Sequence, residues 1–499
     1  MRLTLLIVTL FLLPIVVEVQ GQTWQQVYDE MMAIDDDEEG GEQLHDSYEL
    51  MEQLAAHPLD LNDVTREDLE QLPFLSSMQV MDIMEYLDRF GPMRSLGELR
   101  MIRSLDRQQL ALLPFFVFVT GEADQYKPVR PPLDSLLHRG KSTLWASLRI
   151  PTYQRAGDKN GYLGYAYRHS LRYEWSSGRY LRLGLMGAQD AGEPFFADKN
   201  RWGYDFYSYY LQVMKLGCLD NLIVGKYKVA AGMGLVLGQS FRLGKLATLQ
   251  SMGRSVSTLR PHSSRSEVDY FQGAAATLRL QKHLLWSAFV SRRPIDATLT
   301  SDGAAQTLIT SGYHRTPSEM DKKYNTRLTS AGTHLAYHHG AVRWGATAVT
   351  TQLDRPLQPQ RETLFRRHYP HGRHFLNMSM DYGYTHHRFA FSGETALDGH
   401  AHLATIHTLS LKPSSRLGLT AIQRFYSYRY TTLHGHSFGE GTSVQNESGI
   451  YLGATWKAMA HLQLQGYADY AYFPWARYQV SQASHAWDFL LQATYDFNS

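Results

Sequence analysis

YLGYAYRHSLRYEWSSGRYLRLGLMGAQ, residues 162–189, decides the fold. Its first arm places Tyr165, Tyr167, His169, Leu171, Tyr173 and Trp175 on one side, and Ala166, Arg168, Ser170, Arg172 and Glu174 on the other. A turn at Ser176, Ser177 and Gly178 follows. The second arm then sets Leu181, Leu183 and Leu185 opposite Tyr180, Arg182 and Met186. A period of two marks a strand with a different solvent on each face. Aromatics toward the ends of the apolar face are what a lipid-facing strand carries at the membrane interfaces. A soluble sandwich alternates too, so the decision rests on repetition.

The pattern recurs through the rest of the chain. Sixteen stretches read as strands: 142–155, 164–176, 180–189, 204–216, 219–229, 270–282, 284–296, 330–339, 341–353, 374–386, 388–398, 402–412, 416–430, 449–458, 460–474 and 485–497. Most are long enough to cross a membrane when tilted. Ile450, Leu452, Ala454 and Trp456 alternate cleanly, and the last strand puts Trp487, Phe489, Leu491, Ala493, Tyr495 and Phe497 on one face. The connections alternate in length: 177–179 is short and 190–203 long, 217–218 short and 230–269 long, Gly340 short and 354–373 long. Short turns on one rim and long loops on the other are the habit of bacterial outer-membrane barrels. The expected fold is therefore mainly β. It is a transmembrane antiparallel up-and-down barrel of about 16 strands over residues 142–499, preceded by a small all-α domain. Outer-membrane lipid is its expected surroundings, in a Gram-negative cell, with the short-turn rim and the N-terminal domain in the periplasm.

Composition agrees. The chain is 43% hydrophobic, and no stretch after residue 20 is long and apolar enough for a membrane helix, so a spanning form must be a closed barrel. Leu3 to Val17, after Met1 and Arg2, reads as a signal peptide ending near Gly21 (residues 1–21). Residues 22–58 hold the acidic run Asp35 to Glu39, which lacks calcium-loop spacing and reads as a solvated linker. Lys127 to Pro132, within 119–141, reads as a stiff extended linker. Cys218 is the only cysteine, which excludes an internal disulfide. A net charge of +1 supplies no global attraction for nucleic acid.

Residues 59–118 read as short helices. Thr65 caps the first with Asp68 three residues on, and Leu72-Pro73 ends it. Met78 to Phe90 follows, burying Val80, Met81, Met84 and Leu87, and Gly91-Pro92 stops it. Leu96, Leu99 and Met101 begin another, and Leu110 to Phe116 the last. With Leu61-Asn62, Glu67-Asp68-Leu69, Leu72-Pro73, Ile83, Tyr86, Gly91-Pro92-Met93, Ser95 and Leu99, the stretch resembles the tandem helix-hairpin-helix module of ComEA-like competence proteins. Joined to a barrel, it is similar to helix-hairpin-helix domain proteins of Bacteroidota. The resemblance implies DNA-backbone binding at the hairpins, carried here by Ser76, Ser77, Arg89, Arg94, Arg100, Arg103, Ser104 and Arg107. The hairpins read Phe74-Leu75-Ser76 and Ser104-Leu105-Asp106, without the family's glycine pairs. From Leu59 to Phe116 ten acids meet six bases, a poor balance for phosphate binding. The alternative is a unit that packs on the barrel mouth or docks a protein.

Gly232, Gly234 and Gly238 open the longest loop, Ala230 to Asp269, without the strand-to-helix context of a nucleotide fold. That loop reads either as a lumen insert presenting Arg242, Lys245 and Arg254, or as an ordinary surface loop. His368, His371 and His374, among Arg361, Arg366, Arg367 and Arg373, read as an external basic patch in preference to a zinc site. His262, Ser263, Ser264 and Glu267 lie close in sequence but carry no lipase or protease signature. No catalytic residue, cofactor or metal is assigned. The expected function is non-enzymatic: a channel, translocation or assembly component whose helical module docks cargo, with DNA the sharpest candidate. An interaction scaffold is the alternative and a barrel hydrolase the weaker third. No oligomer face is marked.

Overall fold

The computed structural model describes residues 58–120, 140–159, 161–178, 180–238, 245–251, 257–414, 416–459 and 461–495, with a few residues between 24 and 55. The readings of residues 1–21, of 35–39 and of 127–132, and those of Arg242, Arg254 and Phe497, lie outside these residues.

Eighteen strands, from Lys141–Arg149 to Ser484–Tyr495, close into one barrel. Two of them, Thr258–Pro261 and Ala305–Ile309, are short, and the long strands around each also pair directly. Leu219–Ala230 joins Phe271–Gln281, and Leu284–Leu299 joins Thr326–His339. Sixteen long strands therefore form the wall. The deciding hairpin pairs Arg168–Ser177 with Leu181–Gln189, setting Tyr173 against Leu185 and Trp175 against Leu183. The first arm starts at Arg168, four residues later than the alternation suggests. Gly164 N donates to Gly192 O and Gly192 N to Tyr165 O, so 164–167 is tied to the next loop. The strand expected to reach 155 stops at Arg149. Pro151 has no N–H for the ladder, and Ala156–Lys159 makes one helical turn.

The wall is polar inside and apolar outside. Along Gly372–His386, Leu376, Met378 and Met380 are exposed while Asn377, Ser379 and Asp381 are buried. Ser484–Tyr495 shows Trp487, Phe489 and Leu491 to the exterior, Leu491 at 83%. Water would not tolerate so much apolar surface in register around a closed ring. Hydrocarbon would, and the ring leaves no edge with unpaired backbone. Exposed Trp286, Tyr337, Trp344, Tyr384 and Trp456 gather near the short turns, and Tyr207, Tyr209, Tyr472 and Trp487 near the long loops, as two interfacial girdles. This is a membrane-spanning barrel.

The helical unit has its own core. Thr65, Ser76 and Asp106 each cap a helix, with Asp68, Gln79 and Gln109 returning the bond. The second and third capping boxes are joined: Gln79 Nε2 donates to Ser104 O and Gln109 Oε1, and Gln109 Nε2 to Phe74 O. Phe74, Leu75, Val80, Ile83, Leu99, Leu112 and Phe116 fill the space between. Leu59–Asp60 pairs in parallel with Val117–Phe118 and brings the two ends of the unit together.

Candidate functional site

After Leu219–Ala230 the chain turns inward. Gly232 and Gly234 have φ of 63° and 90°, a region that disfavours side chains. A Cβ on Gly234 would also stand 2.0 Å from the His436 carbonyl. These glycines serve a close backbone approach, not a phosphate. Glu394 accepts Met233 N at 2.7 Å and Leu235 N at 3.1 Å, and Tyr430 Oη donates to Leu235 O at 3.0 Å. Leu235, Val236, Leu237 and Leu249 pack in one cluster with Tyr210, Phe289, Val349, Ile406, Ile422 and Tyr451. Those wall residues come from strands spread around the ring, so the segment lies across the lumen. Burial of such side chains contributes roughly 1.5–3 kcal/mol each before entropy is counted.

Lys245 holds the next part. Its Nζ lies 2.5 Å from Glu440, 2.8 Å from Asp488 and 2.9 Å from Asp469. Asp469 is also held by Arg424, through Nη1 at 2.7 Å and Nη2 at 3.2 Å, and Arg424 Nε meets Glu447 at 2.5 Å. Arg424 is fully buried. A guanidinium with two carboxylates is the arrangement that keeps such a charge tolerable inside.

The helical unit sits on the short-turn rim. Lys412 Nζ donates to Ser104 O at 3.2 Å, Lys215 Nζ meets Asp63 at 3.4 Å, and His387 lies 2.9 Å from Asp82 and 3.3 Å from Glu85. Glu70 is buried, and burial pushes its carboxyl up. Arg66, Arg343 and His338 outweigh that and hold it below the ordinary range. Ser76, Gln79, Ser104 and Gln109 face Lys412 and Lys457 across a cavity of about 120 Å³. Both hairpins therefore look into the barrel.

His387 supplies a pH test. The hydrogen bond it donates to Asp82 raises its pKa above the ordinary histidine value. This contribution is full below about pH 6.5, the unfolded value, and is lost as pH rises through the higher folded value. Protease release of the helical unit is therefore expected to speed up with rising pH, and His387→Ala should flatten that profile. An unchanged profile in the variant would remove His387 as a clip.

The residues singled out from sequence fall into separate groups. Ser76 and Ser77 are buried, and Ser76 Oγ is spent on Gln79 N at 3.3 Å. Ser104 is half-buried, with its carbonyl turned to Gln79 and Lys412. Arg89, Arg94, Arg100, Arg103 and Arg107 are exposed, and only Arg103 lines the cavity at the hairpins. Lys245 stands in the ion network just described. His262 Nε2 pairs with the Ser266 carbonyl while Nδ1 has no partner, so it holds no serine hydroxyl as a base would. None of the cation-competent groups among the described residues includes His368, His371 or His374. His368 packs instead against Tyr428 and Trp475. Lys412, Glu394, Arg424 and Asp469 went unnoticed in the sequence. Ionisable residues at the inward parity of a strand were the available signal.

No protein-family model matches the chain, and no curated protein matches it. Among solved structures it is similar to the anion-selective porin of Comamonas acidovorans, at 11% identity and TM-score 0.30, over 71% of this chain and 98% of that one. It is also similar to OpdQ of Pseudomonas aeruginosa, at 10% identity and TM-score 0.35, over 72% and 87%. OmpF of Salmonella typhi gives 9% identity and TM-score 0.31, over 71% and 96%. At such values nothing of what those proteins conduct transfers to this chain.

Proposed function

We propose that this chain is a non-enzymatic outer-membrane translocation component, closed at rest, with its helical unit covering the periplasmic mouth. The observation that carries the proposal is the inward-facing pair of hairpins, with Lys412 on Ser104 O. The two joined capping boxes support reading residues 59–118 as a tandem helix-hairpin-helix unit that has given its hairpin surface to the barrel. A cargo that sought the hairpins would then compete with Lys412, so cargo docking and opening of the mouth are coupled.

The exposed arginines support a second reading, a docking face for a periplasmic polyanion or protein. Phe90 and Met101 are 68% and 70% exposed on the same unit, and Arg89 lies over the Phe90 ring. DNA binding there would weaken steeply with salt and vanish when Arg89, Arg94, Arg100 and Arg103 become alanine. A protein partner would not follow that slope.

Orientation and closure are tested together by cysteine labelling in a Cys218→Ser background. Arg361→Cys, on a long loop, should react with a membrane-impermeant maleimide in intact cells. Ser104→Cys should react only in lysed cells, and slowly until Lys412→Ala frees the hairpin. Rapid labelling of Ser104→Cys in intact cells would reverse the orientation and sink the proposal.

A further inference from the structure

Three long loops meet at one point, the second of them the last part of the 230–269 loop, and that point is built from charge. Asp205 ends one loop, Glu267 lies in the second, and His314 and Lys323 belong to the third. Glu193, Asp205 and His314 are buried, and the Glu267 side chain is 9% exposed. His314 Nδ1 lies 2.6 Å from Asp205 and Nε2 2.7 Å from Asp296, so both ring nitrogens are already engaged. Lys323 Nζ meets Asp205 Oδ1 at 2.7 Å and Asn200 Oδ1 at 2.8 Å. Glu193 accepts His314 N at 2.9 Å and Asp190 N at 2.8 Å. Lys226, the next cation, stands over the rings of Phe206 and Tyr270.

Two features of this cluster call for a ligand. Glu267 Oε2 is buried without a hydrogen-bond partner, and its nearest cation, His314, is 3.8 Å away. An unpaired carboxylate oxygen in such a place is costly. Carboxylates also outnumber the cations beside them: Asp205, Glu267 and Asp296 meet His314 and Lys323 at ion-pair distance, and Glu193 packs next to them, accepting only backbone amides.

We infer that Glu193, Asp205 and Glu267 bind one divalent cation of the calcium class, which pins the three long loops to one another. The ligand atoms offered by Glu193, Asp205, Glu267 and His314 lie within 4.8 Å of one another, about twice a calcium–oxygen distance of 2.3–2.6 Å. With the imidazole engaged on both sides, the set left is all oxygen. Oxygen sets select hard cations. One such ion neutralises the excess and gives Glu267 Oε2 its missing partner.

The test uses the full chain in detergent, with calcium, magnesium and EDTA as probes. Calcium should raise the melting temperature over EDTA and bind with a stoichiometry of one by titration calorimetry. Glu267→Gln should abolish that rise while melting in EDTA no lower than the wild type, because it removes an unpaired buried charge. Terbium luminescence on the wild type, displaced by calcium, supplies a second readout if the variant fails to fold. Equal melting in calcium, magnesium and EDTA would overturn the inference. So would calcium binding that survives Glu267→Gln, or a stability that answers to pH alone, which would mean that protons occupy the site.

Discussion

Arg424→Ala is expected to destabilise the barrel by about 3–5 kcal/mol, the usual cost of removing one partner from a buried ion pair. The variant leaves Glu447 and Asp469 as buried carboxylates, both essentially inaccessible in the native protein. Lys245 still meets Asp469, but its other ion pairs are with Glu440 and Asp488, not with Glu447. The guanidinium contributes three hydrogen bonds, and lysine has no fork to replace them. Arg424→Lys should therefore recover only part of the loss. A triple variant, Arg424→Met with Glu447→Gln and Asp469→Asn, should recover most of it, because replacing these three buried charges together removes their desolvation cost as well as their attraction, while Lys245 keeps Glu440 and Asp488. Melting of Arg424→Ala within about 1 kcal/mol of the wild type would show that the network does not anchor the wall.

Much of the wall was legible in the sequence because two solvents write a period of two. Ile450, Leu452 and Trp456, read as one face, are all exposed to the exterior. Strand ends were harder, since they are set by contacts from other loops: the start at Arg168 depends on Gly192, far from it in sequence. Thr258–Pro261 and Ala305–Ile309 were read as loop. They are too short for a periodic signal, and they pair only because neighbouring strands overrun their partners there. The glycines at 232, 234 and 238 were visible, but not their reason, which is the backbone around His436 and the carboxylate of Glu394. The ion network was the least legible part. Arg424, Glu447 and Asp469 are brought together by strand register, and no spacing within one segment announces that.

Shortening the insert should have the second large effect. Replacing residues 232–256 by a brief Gly-Ser turn removes Leu235, Val236, Leu237 and Lys245 from the lumen, together with everything they cover. A ring of sixteen long strands is wide enough to hold an aqueous channel. Tyr227, Phe289 and Ile406 lose apolar cover, and Glu394 exchanges two amide donors for water. Some stability is therefore lost, but the wall's backbone ladder does not depend on the insert. The variant should conduct, and removing residues 58–118 as well should raise conductance further by uncovering the mouth.

The most direct measurement is a planar-bilayer recording of the full-length protein beside this shortened variant, at the same protein amount and salt. A closed barrel gives a silent wild type and steady single-channel steps once the insert is gone. Steady steps of equal size from both proteins would mean that the lumen is already open, and would contradict a channel shut by its own loop.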